Sequence, residues 1–168
     1  MDNWLKYFSK EEVLSLKGAS NLYGKAYLIC ERVFNGKKHV SGKDYFKHLI
    51  EVADRFSDEK TKAVTLLHDI FKETTLTPFD LDYIGFPSDL IKCIYIMTRK
   101  ENETYDYFID RIISSNNSMA LDIKKADIEQ NMNLNDLDSL SDDYLNIINL
   151  KYKPQYEKIL DVLKEREM

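Results

Sequence analysis

Apolar residues recur along most of this chain at intervals of three or four positions, which is the spacing of one face of an α-helix. Between residues 44 and 56, for example, Phe46, Leu49, Ile50 and Val52 form one such stripe. We find no run of alternating β-branched residues that would indicate a strand. Only five glycines and three prolines interrupt the pattern. The sequence therefore predicts an all-α fold, built as a single-domain helical bundle.

Capping residues indicate where several of these helices begin. Ser9 and Glu12 are spaced as a capping box. Thr77 precedes Pro78 as an N-cap precedes the first helical residue, and Asp58 stands before the central apolar stretch. We assign both ends of four helices, at about residues 20–34, 44–56, 105–115 and 141–164.

Length and composition limit the classes of function. A chain of 168 residues, 43% hydrophobic and 32% charged, has the size and balance of one globular domain spanning 1–168. Its net charge of −5 argues against nucleic acid or an anionic membrane as the main partner, but allows a small anionic substrate beside local lysines. Cys30 and Cys93 lie far apart, which suits a reducing cytoplasm. No signal peptide and no run of transmembrane length is evident.

A few ionisable side chains interrupt the apolar stripes. The stretch from Ala63 to Glu73 predicts an apolar helix that carries His68 and Asp69 side by side. His48 and Asp127 likewise fall on apolar faces of other helices. Burying such groups costs several kcal/mol unless something neutralises them, and a divalent cation would do so. The alternative is that each histidine is a hydrogen-bonded core residue.

Taken together, two imidazoles and two carboxylates favour a metal site of mixed nitrogen and oxygen donors, of the kind that packed helices build. Helical spacing adds neighbours to this set. Glu73 lies one turn after Asp69, Lys72 one turn after His68, and Asn131 one turn after Asp127. The alternative for Lys72 and Glu73 is a solvated helix end, and the alternative for Asn131 is a polar position at a helix C-terminus.

Three segments around these residues resemble the HD-domain metal-dependent phosphohydrolases, most closely the branch of alarmone hydrolases that remove the 3′-pyrophosphate of guanosine tetraphosphate. Residues 43–53 resemble G-x-P-Y-x-x-H-P-x-x-V-A, and residues 125–132 resemble K-x-A-D-R-x-x-N-M. Residues 66–69 with 77–81 resemble L-L-H-D-x-x-E-D-T-x-x-T-x-x-x-I. The resemblance covers roughly residues 36–135, as in small stand-alone proteins of this type.

The resemblance implies one divalent metal ion, manganese in our interpretation, with iron, zinc and magnesium as alternatives. The implied ligands are His48, His68, Asp69 and Asp127. Asn131 matches a position that contacts the nucleotide sugar in the alarmone branch.

The chain also departs from that branch. Lys72-Glu73 stands where the family has two acids, Leu49 replaces a proline, and Ile128 replaces an arginine. A basic loop with Lys38 and His39 replaces the arginine that stacks on guanine. A cation beside the metal favours a compact anion, so we expect weak or no hydrolysis of guanosine tetraphosphate.

We therefore interpret the sequence as a cytoplasmic, metal-binding hydrolase of the HD type that acts on a nucleotide or related small phosphoester. The predicted catalytic residues are Glu73, Lys72 and Arg99. The predicted substrate-binding residues are Asn131, Lys38, His39 and Lys43. Two alternatives remain: an HD scaffold that binds a nucleotide or metal without turnover, as a sensor or effector, and an all-α interaction protein with structural histidines.

Overall fold

The computed structural model describes residues 1–133 and 141–168, and it confirms the all-α prediction. Within those residues the only β-type pairing is an isolated antiparallel bridge between Lys38 and Asp44. Residues 134 and 135, the end of the region of resemblance, lie outside the described part. None of the described helices has the length and apolar character needed to span a membrane. The α-helices are α1 (Lys10–Gly18), α2 (Leu22–Val33), α3 (Tyr45–Ala53), α4 (Glu59–Leu67), α5 (Ile70–Glu73), α6 (Pro78–Tyr83), α7 (Ser88–Ile96), α8 (Tyr105–Ser114), α9 (Ser118–Asn131), α10 (Asp142–Ile147) and α11 (Lys153–Glu167).

The predicted caps are confirmed at the helix starts. Ser9 and Glu12 form the reciprocal capping box of α1. The Asp58 carboxylate accepts the Thr61 N–H at the start of α4, and Thr77 forms a capping box with the third residue of α6. These side chains satisfy backbone N–H groups that have no partner within the helix. Each such cap contributes about 1 kcal/mol.

The core is built around α4, which packs against α2, α3, α7 and α9. Ala63, Val64, Leu66 and Leu67 are at most 1% exposed, so this helix is apolar on most of its circumference. A helix with this pattern belongs inside a protein rather than on its surface. Each buried leucine contributes about 1.5–3 kcal/mol by leaving water.

The predicted continuous helix from Ala63 to Glu73 is wrong at one point, because the helix breaks at the His68–Asp69 pair. Nδ1 of His68 lies 2.6 Å from the carbonyl oxygen of Thr65. In a continuous α-helix that oxygen would accept the Asp69 N–H. The imidazole therefore competes with the backbone, and Asp69 turns to φ −101° before α5 begins.

A partly buried polar network connects α3, which carries His48, to α9, which carries Asp127. The Gln130 amide donates to Glu51 at 2.9 Å, and Arg55 donates to Gln130 at 2.9 Å and to Glu129 at 3.0 Å. Because these contacts link residues about 75 positions apart, they fix how the two helices meet.

The last predicted helix, 141–164, corresponds to α10 and α11 joined by a π-helical turn at Ile148–Tyr152. Ile148 and Tyr152 of this turn are buried, whereas Leu150 between them is 82% exposed. The prediction gave the extent of this helix closely but not the π-turn, since a π-turn depends on contacts with the rest of the fold.

Candidate active site

The four side chains predicted as metal ligands lie next to one another in the interior. Nε2 of His48, in the middle of α3, is 3.0 Å from Oδ1 of Asp127 on α9. At the break between α4 and α5, Nε2 of His68 is 3.2 Å from Oδ2 of Asp69. The same nitrogen lies 3.9 Å from Oδ1 of Asp127. The two histidines and Asp127 are buried, and Asp69 is partly exposed.

The ring of His68 is oriented by its backbone contact. The Thr65 carbonyl accepts only from a protonated nitrogen, so Nδ1 carries a hydrogen. Nε2 then faces the two carboxylates, is buried, and makes no hydrogen bond in the described part of the chain. A nitrogen with this orientation is available as a metal ligand, since its partner nitrogen is already fixed by a carbonyl.

The carboxylates concentrate negative potential at this point. Burial opposes ionisation of Asp127, but Lys124 and the two histidines outweigh it and hold the pKa of that carboxyl well below its usual value. Burial also lowers the pKa of His68, and the carboxylates of Asp69 and Asp127 more than offset it, raising that pKa to about 9. The surroundings of Nε2 therefore favour a positive charge there.

The types of donor atom, and two of the separations between them, suit a divalent cation. Ligand bonds of about 2.1 Å at right angles place neighbouring donor atoms about 3 Å apart. The separations of 3.0 and 3.2 Å between these donors are close to that value. As they stand, however, no three or more histidine, cysteine or acidic side chains among the described residues are grouped so that they could hold a metal ion. Other contacts hold the carboxylates instead: Lys124 Nζ lies 3.1 Å from Oδ2 of Asp127, and the Tyr45 hydroxyl donates to Oδ2 of Asp69.

A cavity of about 250 Å³ opens beside these ligands, and most of the predicted site residues line it. It is more polar than a larger groove of about 510 Å³ between α1 and α2, which the side chains of Leu16 and Leu28 help to form. Lys43 lies outside the polar cavity, 3.4 Å from Glu51. The predicted residues that line it are His48, Asp69, Asp127, Lys38, His39, Lys72, Glu73, Arg99 and Asn131.

The one base and the one acid of α5, Lys72 and Glu73, differ in their partners. Glu73 is partly exposed, and its Oε2 lies 2.7 Å from Nζ of Lys37, in the loop after α2. Its backbone N–H donates to the Asp69 carbonyl, so it stands one helical turn beyond a proposed ligand. Lys72 is exposed at the mouth of the cavity and forms no ion pair with a described residue.

His39 and Asn131 line the cavity next to His48. The rings of His39 and His48 stack with centroids 4.1 Å apart. Burial and the neighbouring His48 lower the pKa of His39 to about 4, so its ring is neutral near neutral pH. Asn131 is 6% exposed, and its side-chain oxygen has no hydrogen-bond partner among the described residues.

Sequence reasoning missed several residues of the site. Tyr45 and Lys124 each stand three positions before a predicted ligand, and this helical spacing was a usable signal. The family string K-x-A-D matches residues 124–127 when it is aligned on its lysine. It therefore begins at Lys124 and not at Lys125, where our sequence comparison began it. Lys151 and Tyr152 come from the π-turn and carry no such signal, because only tertiary packing brings them to the cavity.

Comparison with known proteins relates part of this chain to nucleotide-processing enzymes. No protein-family model matches it. Over 70 residues the chain is 39% identical to proteins named GTP pyrophosphokinase rsh from Brucella ovis, Brucella abortus and Brucella suis. The match covers 39% of this chain and 9% of each relative, so it spans only a small part of their length. The similarity is compatible with a nucleotide-related function.

Proposed function

We propose that this chain is a metal-dependent phosphohydrolase of the HD type that acts on a nucleotide or related small phosphoester in the cytoplasm. The observation that carries the proposal is the meeting of two imidazoles and two carboxylates beside a cavity lined by more cations than acids. The partial similarity to GTP pyrophosphokinase rsh supports a nucleotide as the substrate.

The metal ligands in this proposal are His48, His68, Asp69 and Asp127. A bound divalent ion, with manganese as our first choice, supplies a Lewis acid for a phosphoryl oxygen and lowers the pKa of water. Glu73 is the general base, because its carboxylate lines the same cavity one turn beyond Asp69. Lys72 and Arg99 stabilise the charge that develops on phosphate oxygens.

Substrate binding falls to other residues that line the same cavity. Asn131 offers a buried amide with an unsatisfied oxygen, which suits a sugar hydroxyl. His39 and Lys38 lie in the loop between α2 and α3 and line the cavity. With Lys72 in place of an acid, we expect a simple nucleotide phosphate to be a better substrate than guanosine tetraphosphate.

A second candidate is a sensor that binds a metal or nucleotide without turnover. The ion pair between Glu73 and Lys37 favours it, because the carboxylate proposed as the general base is already engaged by a lysine at 2.7 Å. Both the hydrolase and the sensor would bind a metal or a nucleotide, but only the hydrolase would release phosphate.

Metal analysis of the purified chain, followed by a nucleotide panel with manganese, tests both. We expect about one manganese per chain and phosphate release from at least one nucleotide, with guanosine tetraphosphate slower than the best substrate. His68→Ala should abolish both metal content and release. The exposed substitution Asp122→Asn on α9 is the control and should retain both.

Other outcomes of the metal analysis and the nucleotide panel would favour the sensor or contradict parts of the proposal. Metal binding without release from any nucleotide supports the sensor over the hydrolase. A chain that binds no divalent ion, or a His68→Ala variant that keeps full metal content and activity, contradicts the metal site itself. Fast turnover of guanosine tetraphosphate relative to every other nucleotide would contradict the argument from Lys72.

A further inference from the structure

Two acids of the candidate active site, Asp69 and Glu73, stand one turn apart at the two ends of a very short helix. This helix, α5, contains only four residues and follows the break at Asp69. A single turn fixes several backbone dihedrals for few hydrogen bonds, so contacts from the rest of the protein must hold such a helix in place. The position of Glu73 relative to Asp69 therefore depends on what their side chains contact.

Two residues at the base of the loop between α2 and α3 contact these two acids. The Tyr45 hydroxyl donates to Oδ2 of Asp69, and Nζ of Lys37 lies 2.7 Å from Oε2 of Glu73. Lys37 and Tyr45 are themselves joined, because the Tyr45 N–H donates to the Lys37 carbonyl at 2.9 Å. Nζ of Lys37 also lies 5.4 Å from the centroid of the Tyr45 ring. The two side chains therefore hold α5 at both ends, and we call this pair the Lys37–Tyr45 clamp.

The backbone of the clamp is fixed to the core of the protein. The Lys37 N–H donates to the carbonyl of Phe34, which follows α2, at 3.0 Å. The buried ring of Phe34 packs against the ring of Tyr45, with centroids 4.9 Å apart. Lys38 and Asp44, the next residues inward along the loop, form the isolated bridge. A support fixed in this way can set the position of a functional side chain on a neighbouring element.

The ion pair between Lys37 and Glu73 contributes little to folding. Their side chains are 37% and 24% exposed, and ion pairs open to solvent are weak because water and salt screen them. Neither residue has another ion-pair partner in the described part of the chain. Both side chains line the polar cavity beside the proposed ligands. The consequence of this pair should therefore be seen in the cavity and not in the stability of the fold.

The contact with Lys37 leaves half of the Glu73 carboxylate available. Lys37 engages Oε2, whereas Oε1 accepts no hydrogen bond from a described residue. A carboxylate held through one oxygen can accept a proton through the other. We infer that Lys37 is a positioning residue, which holds the Glu73 carboxylate in the cavity at a fixed place relative to Asp69 and leaves Oε1 to accept the proton of the attacking water. The inference rests on the proposed function, in which Glu73 is the general base.

Steady-state kinetics of the purified full chain with manganese, on the nucleotide of the panel that turns over fastest, tests this role. Lys37→Met removes the ion pair, and kcat should fall by about tenfold to a hundredfold, because a misplaced catalytic group loses much of its effect. Lys37→Arg keeps the charge and the donors and should recover most of that loss. Lys47→Met, which removes an exposed lysine of α3, is the matched control and should keep the parental kcat. Manganese affinity by equilibrium dialysis should be the same in all four chains, since neither lysine contacts a proposed ligand.

A double variant shows whether Lys37 acts through Glu73. Glu73→Gln removes the general base, so that nothing remains for Lys37 to position. In that background Lys37→Met should change kcat by less than about twofold, in contrast to its effect in the parent chain. A lysine that acts independently of Glu73 would give the same loss of kcat in both backgrounds.

Equal kcat in the parent chain and Lys37→Met would overturn the positioning role, and a raised KM with unchanged kcat would do so too, since it indicates only attraction of an anion. A rise in kcat would also overturn it, because it would show that Lys37 blocks Glu73. Each of these results is obtained on a chain that turns over, so it leaves the hydrolase in place. A parent chain that releases no phosphate from any nucleotide contradicts the hydrolase itself, and the positioning role with it.

Discussion

The two ring nitrogens of His68 have different surroundings, and this difference decides what the residue can do. Nδ1 is committed to the Thr65 carbonyl at 2.6 Å. Nε2 is buried without a hydrogen bond, 3.2 Å from an oxygen of Asp69. A core histidine with a purely structural role would normally satisfy both nitrogens. Nε2 therefore favours a positive charge, which is either a proton paired with Asp69 or a metal ion, and metal analysis of the purified chain separates the two.

The role of Glu73 is testable at the level of one atom. Glu73→Gln keeps the shape of the side chain and removes its basicity. Because general-base catalysis contributes about a hundred- to ten-thousand-fold, we expect kcat for the best nucleotide to fall by that factor. Manganese affinity should be nearly unchanged, since Glu73 is outside the proposed ligand set. Steady-state kinetics and equilibrium dialysis measure the two quantities.

Lys72→Ala provides the contrast, because Lys72 lines the same cavity on the same short helix. A point charge beside a phosphate acts in the ground state as well as the transition state, so this variant should mainly raise KM. If Glu73→Gln turns over at the parental rate, Glu73 is not the base. The four proposed ligands would be unaffected by that result.

Single residues also show which parts of the site a sequence can predict. His48, His68, Asp69 and Asp127 are conspicuous because an ionisable group on an apolar stripe conflicts with its own helix. Their neighbours Tyr45 and Lys124 were missed although helical spacing placed them on the same faces. A partner such as Lys151 leaves no local trace, since its position depends on how α11 packs.

At the scale of elements, helix starts were predictable and the central break was not. A cap such as Ser9 or Asp58 acts on a backbone N–H two or three residues away, so its signal lies within one short window. The break at His68 and Asp69 arises from a side chain competing for the carbonyl of Thr65. Apolar periodicity continues across that break, and it therefore predicted one helix.

The contact between α1 and α2 gives a prediction about pH. Glu12 belongs to the α1 capping box and lies 3.0 Å from Arg32 on α2. The hydrogen bond from Arg32, with that from the Ser9 backbone, lowers the pKa of Glu12 from 4.5 to about 2. A carboxyl group whose pKa is lowered by folding stabilises the folded chain at pH values above its pKa in the unfolded chain. That stabilisation is lost as the pH falls toward the pKa in the folded chain. Glu12→Gln should therefore lower the urea midpoint near neutral pH, and its difference from the parent chain should shrink between about pH 4.5 and pH 2.

Glu11→Gln is the matched control for this measurement, because Glu11 is an exposed neighbour in the first turn of α1. It should show only the small loss expected of a carboxylate near a helix N-terminus, about 0.3–1 kcal/mol. A difference between Glu12→Gln and the parent chain that stays constant from pH 7 to pH 3 would show that the charge of Glu12 does not connect the two helices.

At the scale of the whole molecule, the charge of the cavity is opposite to that of the chain. The sequence has a net charge of −5, yet the cavity is lined by more basic side chains than acidic ones. The basic side chains come from the loops after α2 and α7, from α5 and α9, and from the π-turn. An acidic exterior disfavours long polyanions, while this local cluster attracts small ones. The small anionic substrate that we propose is therefore supported by the fold and not by the overall composition.

Binding of a metal by groups that the fold brings together should stabilise the entire chain. An ion that binds only the folded state at a hundred times its Kd adds about 2.7 kcal/mol to the free energy of unfolding. For a chain of this size that raises Tm by about 5–11 °C. We expect this shift with manganese for the parent chain, and little or none for Asp127→Asn, which removes one charged ligand from the set.

Asp122→Asn on the same helix is the control, since Asp122 is exposed and lies outside the site. It should show the full shift, which separates loss of a ligand from a general change in the charge of α9. Differential scanning calorimetry over a manganese series gives both Tm and its dependence on concentration. An equal shift in Asp127→Asn and the parent chain would mean that manganese binds elsewhere. The imidazoles and carboxylates at the centre of the fold would then be hydrogen-bonded core groups.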